Sequence, residues 1–277
     1  MAANDIATST KVDPVVLRKL FTRAKAPSGP PGSRAYAIGD VHGRLDLLEE
    51  LLGLIEADNR RRPAAKTYLV LLGDLIDRGP DSAGVIERFV ANPPRWARRV
   101  YLQGNHEEFF LNVLAGREQT VGNWLTYGGY ECAASYGVSQ GATLNATPAE
   151  IVELLRKAVP ASHVEFLENM ADSFRFGDYL FVHAGIRPGV LIDEQSQHDL
   201  RWIREGFLDC GDDHGVIVVH GHTIVDKVEQ HPNRIALDTG AYRSGVLTAI
   251  GLEGAERWFI EARAAAPAET LGSALAG

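Results

Sequence analysis

The chain has 277 residues, 45% of them hydrophobic and 23% charged, with 36 acidic against 28 basic side chains and a net charge of −8. That balance fits a globular domain with a sizeable core and argues against a protein that coats nucleic acid, which ordinarily presents a basic domain. Two cysteines, Cys132 and Cys210, exclude a disulfide-built scaffold, and no apolar run reaches the roughly 18 residues of a membrane span, so the expectation is a soluble α/β enzyme of a reducing cytoplasm.

Met1 to Lys11 is small and polar, lacks the apolar core of a secretion signal, and reads as disordered. Asp13-Pro14 then reads as the N-cap and first-turn proline of a short helix, with Val16, Leu17, Leu20 and Phe21 on one face. Docking on the protein's own body is the expected use of that face, because short helices draw their stability from packing. Residues 1–33 are therefore read as an N-terminal tail, 34–263 as the folded domain, and 264–277 as a frayed C-terminal tail.

Within the domain, Ala35–Ile38 reads as a strand, and Leu45, Leu48, Leu51, Leu52 and Ile55 follow at helical spacing. Tyr68–Leu72 is a continuous apolar strand, Ser82–Val90 a helix, and Arg99–Leu102 a third strand. This alternation predicts parallel pairing with right-handed crossovers. From Glu107 to about Asn169 the pattern is mostly helical, broken at Gly116, Gly128-Gly129, Gly137–Gly141 and Pro160. Phe174–Phe176 and Leu180–His183 form a hairpin around Gly177-Asp178. Further strands are expected at Val216–Val219, Val225–Gln230, Ile235–Leu237, Val246–Ile250 and Arg257–Ile260.

The unusual residues sit where these strands stop. The first runs into Gly39-Asp40-Val41-His42-Gly43, the second into Gly73-Asp74-Leu75-Ile76-Asp77-Arg78-Gly79, and the third into Gly104-Asn105-His106-Glu107. The hairpin delivers His183-Ala184-Gly185, and the strand after it His220-Gly221-His222-Thr223. In an open α/β sheet, residues just past the carboxyl ends of the strands converge on one crevice. Asp, His and Asn there make a mixed oxygen and nitrogen ligand set, larger than one ion takes up. Two ions about 3.5–4 Å apart, bridged by a shared carboxylate, would use them all.

Other clusters have plainer readings. A lone Gly-Asp pair is ordinarily a turn, and a lone His183 would ordinarily be a hydrogen-bonded core histidine. Asp209, Asp212, Asp213 and His214 lie in a Gly-bearing loop with no strand before them and read as a solvated turn. Arg60-Arg61-Arg62 follows a helix end, where positive charge suits the dipole. Trp124, Tyr127 and Tyr130, at i, i+3 and i+6, read as the buried face of a helix.

In the order GDVHGR, GDLIDRGPDS, GNHEE, HAG and GHT, from Ile38 to about Gly245, the chain resembles the phosphoprotein phosphatase branch of the calcineurin-like metallophosphoesterases. It is particularly similar to the bacterial serine/threonine phosphatases of that branch. The resemblance implies a four-layer αββα sandwich, with residues of about 116–162 as a helical cap insertion. It implies that Asp40 and His42 bind a first metal, that Asp74 bridges, and that Asn105, His183 and His222 bind the second. The burial of the strand before Asp74 agrees with the bridging role. By the same resemblance Asp77 orients His106 as a general-acid pair, while Arg78 and Arg204 clamp phosphate through their bidentate forks. The family pattern prefers His222 to His220. Ile224 stands where other branches carry a second histidine, which favours the phosphatase branch. Arg201 stands where the family has an apolar residue, so Arg201 and Arg204 both remain open as the phosphate-facing arginine.

The implied reaction is hydrolysis of a phosphate monoester by a metal-bridging hydroxide, with His106 protonating the departing alkoxide. The implied cofactors are two divalent ions, manganese by resemblance, with iron or zinc also suited to the ligand set. The expected partner is a phosphorylated protein or a small phosphate ester, not nucleic acid or a membrane. A symmetrical dinucleoside-polyphosphate hydrolase is the alternative, since that group shares these motifs. A non-catalytic scaffold on the same fold is disfavoured by the completeness of the set.

Overall fold

Alternation along the first strand sets two layers at once. Ala35 and Ala37 enter one buried cluster, while Tyr36 and Ile38 enter another together with the apolar face of the following helix. The computed structural model describes residues 26–264. The short helix expected after Asp13-Pro14 and the tail from residue 265 onward lie outside the described residues.

Strands β1 (Ser33–Ile38), β2 (Lys66–Leu71) and β3 (Arg98–Tyr101) are linked by helices α1 (Leu45–Arg61) and α2 (Ser82–Ala91) and pair in parallel, as the alternation predicts. The helical stretch follows as α3 (Asn105–Leu114), α4 (Glu118–Trp124), a π-helical turn over Leu125–Gly129, α5 (Tyr130–Ser135), α6 (Gln140–Leu144), α7 (Pro148–Ala158) and α8 (Ala161–Glu168). Helix α7 begins on a capping box, with Thr147 and Glu150 exchanging side-chain to backbone hydrogen bonds and Pro148 in the first turn.

The second half opens with the antiparallel hairpin β4 (Ser173–Phe176) and β5 (Tyr179–Val182), followed by α9 (Gln197–Trp202) and β6 (Ile217–His220). Then come β7 (Glu229–Gln230), β8 (Arg234–Ala236), α10 (Ala241–Ser244), β9 (Val246–Glu253) and β10 (Glu256–Arg263). The strands form two five-stranded mixed sheets, ordered β10-β9-β1-β2-β3 and β4-β5-β6-β8-β7. Ala37, Val70 and Ile250 of the first sheet share a buried cluster with Phe181, Val219 and Ile235 of the second. Leu180, Val182 and Val218 cluster instead with Leu200 of α9 and with Phe207. Helices therefore cover the outer faces of two packed sheets, the αββα layering expected.

One expected strand is largely absent. Of Val225–Gln230 only Glu229 and Gln230 pair in a sheet, because the Val225 amide donates to the Asp238 carbonyl instead of joining a ladder. The polar pair Asp226-Lys227 follows, in a stretch exposed to solvent.

Candidate metal centre and active site

The loops after β1 and β2 are fastened to each other. The amides of Val41 and His42 both donate to the Asp74 carbonyl, at 3.1 and 2.9 Å, and the Gly43 amide donates to Leu75. This sets Asp40, His42 and Asp74 side by side at the carboxyl ends of the first sheet. Five non-glycine residues here adopt left-handed backbone, namely His42, Asp74, Asp77, Arg78 and His222, with φ between 46° and 71°. Such residues cluster where a surrounding structure forces them into place. At Gly104 the reason for glycine is space, since a side-chain carbon there would collide with the Asp74 carboxylate.

Two groups of potential ligand atoms share Asp74. His42, Asp74 and His106 offer atoms within 4.8 Å of one another, and so do Asp74, His183 and His222. His42 and His183 each direct Nδ1 at a backbone carbonyl, of Ile76 and Leu72 respectively, both at 2.8 Å. That hydrogen bond fixes the proton on Nδ1 and leaves the Nε2 lone pair facing the centre. Around His183 Nε2 stand Asn105 Oδ1 at 3.0 Å, His222 Nδ1 at 3.2 Å and Asp74 Oδ1 at 3.3 Å. Acceptors this close repel unless a cation or a proton lies among them. His222 Nε2 is also buried without a partner, so the donor set fits divalent ions on both sides of Asp74.

The electrostatics point the same way. Burial works against charge on His183, yet the Asp74 carboxylate outweighs it and raises the imidazole pKa. Burial likewise opposes the Asp74 carboxylate, and His183 and His106 hold it well below the usual range. Asp40 is pushed up by burial and by the charges of Asp238 and Asp74. Its carboxylate accepts the His222 amide at 3.0 Å. Burial pushes His222 down to about 2, so its imidazole is neutral and able to ligate.

Beside this centre, His106 Nδ1 lies 2.6 Å from Asp77 Oδ2, with both side chains buried. The other ring nitrogen of His106 faces Asp74 at 3.8 Å. Burial alone would lower the His106 pKa, and the Asp74 and Asp77 carboxylates raise it above normal. The geometry can therefore present a protonated imidazole to the crevice.

The arginines separate clearly. Arg78 Nη1 lies 2.8 Å from His42 Nε2, and its guanidinium sits 5.0 Å from the Tyr242 ring. Arg204 is exposed and donates to the His222 carbonyl at 3.2 Å. Arg201 is taken up by Asp172 at 2.5 Å and Glu108 at 3.3 Å. Of the two, Arg204 is the one bonded to a residue of the ligand cluster and free of a carboxylate partner among the described residues. His220 points away from it, because it shares the strand face of Val218 and packs edge-on against Phe207.

The other clusters resolve as follows. Asp209, Asp212 and Asp213 are exposed and join no metal-binding group among the described residues. Trp124 is buried, but Tyr127 is 53% exposed, so the aromatic triplet does not share one face. Tyr127 and Gly128 leave helical geometry, the glycine at φ 109°, and the phase of the spacing is lost at that point.

Sequence reasoning missed three participants. Glu107 is wholly buried, and its carboxylate accepts from the amides of Gly104 at 2.8 Å, Asp74 at 2.9 Å and Leu75 at 2.7 Å. Its place three residues past Gly104 at the start of α3 was the available signal. Asp238 is buried with Oδ2 unpartnered, and Trp124 donates its indole N–H to Asp77. Neither shows in any local pattern.

A model of the family described as calcineurin-like phosphoesterase matches residues 33–251. The asymmetrical bis(5'-nucleosyl)-tetraphosphatase PrpE of Anoxybacillus flavithermus is 28% identical over 233 residues, covering 77% of this chain and 88% of that protein. Serine/threonine-protein phosphatase 1 of Salmonella typhimurium is 29% identical over 221 residues, covering 77% of this chain and 89% of its own. Among solved structures, a serine/threonine phosphatase from Saccharomyces cerevisiae superposes with a TM-score of 0.53 at 16% identity, covering 86% of this chain and 82% of that one. At that identity the likeness concerns the fold. Among the described residues, no helix is long and apolar enough to cross a membrane.

Proposed function

The chain belongs to the calcineurin-like phosphoesterase family and is a metal-dependent phosphoester hydrolase, and from that premise we propose that it is a serine/threonine protein phosphatase. The observation that carries this reading is the buried Asp77–His106 pair beside Asp74. A serine or threonine alkoxide leaves poorly and needs a proton donor, an aid worth about 10²–10⁴-fold in rate.

Asp40, His42 and Asp74 would hold one divalent ion, and Asp74, Asn105, His183 and His222 the other. Manganese is our proposed metal, and iron or zinc would also suit oxygen and imidazole ligands. Bound ions would supply Lewis acidity toward the phosphate and lower the pKa of water. Arg78 and Arg204 would grip the phosphate oxygens from two sides, with Tyr242 bracing the Arg78 guanidinium. Asp77 would accept from Nδ1–H of His106 and stabilise the imidazolium, whose second proton, on the nitrogen facing the crevice, would go to the leaving oxygen. The helical segment of about 116–162 would act as a cap within a catalytic domain at 34–263. A reducing cytoplasm is supported by the two unpaired thiols, Cys132 and Cys210.

A second reading is cleavage of a dinucleoside polyphosphate. Exposed Tyr127 lines a cavity of about 460 Å³ with Arg78 and Tyr242, and an aromatic face beside a phosphate-binding arginine suits a nucleobase. Such a cleavage expels a nucleotide phosphate, which leaves without a proton donor. Turnover of a phosphothreonine peptide and of diadenosine tetraphosphate, side by side after manganese loading and with EDTA as control, tests the choice. Preference for the peptide supports the protein phosphatase. Preference for the dinucleotide moves the function to nucleotide metabolism and leaves the metal ligands as assigned.

A further inference from the structure

Asp77 is held from two sides. Its Oδ2 meets His106 Nδ1 at 2.6 Å, and its Oδ1 accepts the indole N–H of Trp124 at 3.1 Å. Its amide donates to Ser82 Oγ at 2.9 Å. The carboxylate is fully buried, so no solvent is at hand to replace a lost donor. Two donors on opposite oxygens fix the carboxylate plane, and the plane fixes the imidazole that leans on it.

Trp124 comes from a different part of the chain than the pair it touches. It ends α4, in the helical segment over the crevice, and its ring stacks on Phe110 of α3 at 5.3 Å between centroids. The same segment reaches the next residue as well, because the Gly128 carbonyl accepts the Arg78 amide at 3.0 Å. Gly128 has no freedom to change, since a side-chain carbon there would strike the Arg78 backbone. Asp77 and Arg78, both in left-handed backbone, are thus pinned by one five-residue stretch, from Trp124 to Gly128.

We propose that Trp124 is a positioning residue for proton donation, acting through Asp77 to keep His106 aimed at the leaving oxygen. The inference rests on the reading of Asp77 and His106 as the proton-donating pair. A buried indole N–H needs an acceptor in any case, and the particular feature here is that its acceptor is the other oxygen of the carboxylate on which His106 leans. With the N–H gone, Oδ1 loses its indole donor and only the weak thiol donor of Cys132 remains beside the carboxylate, which can then turn away from the imidazole. Proton donation then suffers most where the leaving group is worst.

The test uses Trp124→Phe and a second variant with benzothienylalanine at position 124, which keeps the ring volume and lacks only the N–H. Turnover of a phosphoserine peptide is compared with that of p-nitrophenyl phosphate, and the His106 imidazole is followed by nitrogen-15 NMR in the metal-free protein. The expected result is a kcat loss about tenfold greater for the peptide than for the aryl ester, at unchanged KM. The downfield Nδ1–H signal of His106 should broaden or shift in both variants. Equal losses on both substrates, with an unmoved NMR signal, would reduce Trp124 to packing and overturn the proposal. His106→Asn serves as the reference. If His106→Asn itself fails to discriminate between the substrates, the proton-donor reading falls and this inference falls with it. If His106→Asn discriminates and the benzothienylalanine variant does not, the inference alone is overturned.

Discussion

The carboxylate of Glu107 holds the backbone amide of Asp74 at 2.9 Å, and Asp74 is one of the residues forced into left-handed backbone, at φ 48°. Through its other contacts Glu107 ties the start of α3 to the loop after β2. Burial, reinforced by the Asp74 charge, pushes its pKa up to about 7. Glu107→Gln would turn an amide N–H toward those backbone donors. The expected outcome is a loss of about 2–4 kcal/mol in stability, measured by urea unfolding, with weaker metal binding following from a displaced Asp74.

Asp74 is the one residue common to both ligand groups. Asp74→Asn should therefore lower occupancy of both proposed ion sites, whereas His222→Ala should affect mainly one. Metal content by mass spectrometry after gel filtration reads the difference. Activity of Asp74→Asn should fall by about 10²-fold or more, as should that of wild-type protein stripped with EDTA and not reloaded. Equal metal content in Asp74→Asn and wild type would contradict the shared ligand.

Metal binding should be coupled to protonation. In the metal-free protein His183 has a raised pKa, because Asp74 outweighs the effect of burial. An ion competes with a proton for His183 Nε2, so affinity weakens as pH falls through that raised value. Titration calorimetry in two buffers of different ionisation enthalpy should report proton release on binding that grows as the pH is lowered. Affinity that stays constant from about pH 7.5 to about pH 5 would argue against histidine ligation.

His220 should make the metal-free protein sensitive to acid. Burial holds its pKa at about 3, against about 6.5 in an unfolded chain. Between those values the unfolded state binds a proton that the folded state does not, so stability drops as pH falls below the unfolded value. The slope from this one group reaches about 1.4 kcal/mol per pH unit. His220→Phe should flatten the pH dependence of urea unfolding by about one proton between roughly pH 6 and pH 4.5. An unchanged slope would mean that His220 carries its charge in the folded protein.

What the sequence displayed was the part of the site built by local chain geometry. Asp40, His42, Asp74, Asn105, His183 and His222 each follow the end of a strand or hairpin arm, and strands announce themselves by their apolar runs. What stayed hidden depends on distant parts of the chain meeting. Trp124 lies 47 residues from Asp77 in the chain, and its indole reads as core until the acceptor is seen. Asp238 sits past the end of β8 with no histidine or asparagine to mark it. The strand expected over Val225–Gln230 failed because two spaced valines say nothing about a carbonyl across the loop that takes the first amide. Tyr127 was misplaced for a similar reason, since helical phase was carried across Gly128, where the helix is broken.

The five left-handed residues carry a consequence for substitution. Each holds a conformation that glycine would adopt freely, at a cost of about 1–3 kcal/mol apiece for a residue with a side chain. A glycine at Asp77 or at His222 would relax the backbone and remove the chemistry in one step. At Asp77 that relief would be offset by the buried donors of His106 and Trp124, which a glycine would leave without an acceptor, so the strained backbone there is held by the same hydrogen bonds that build the site.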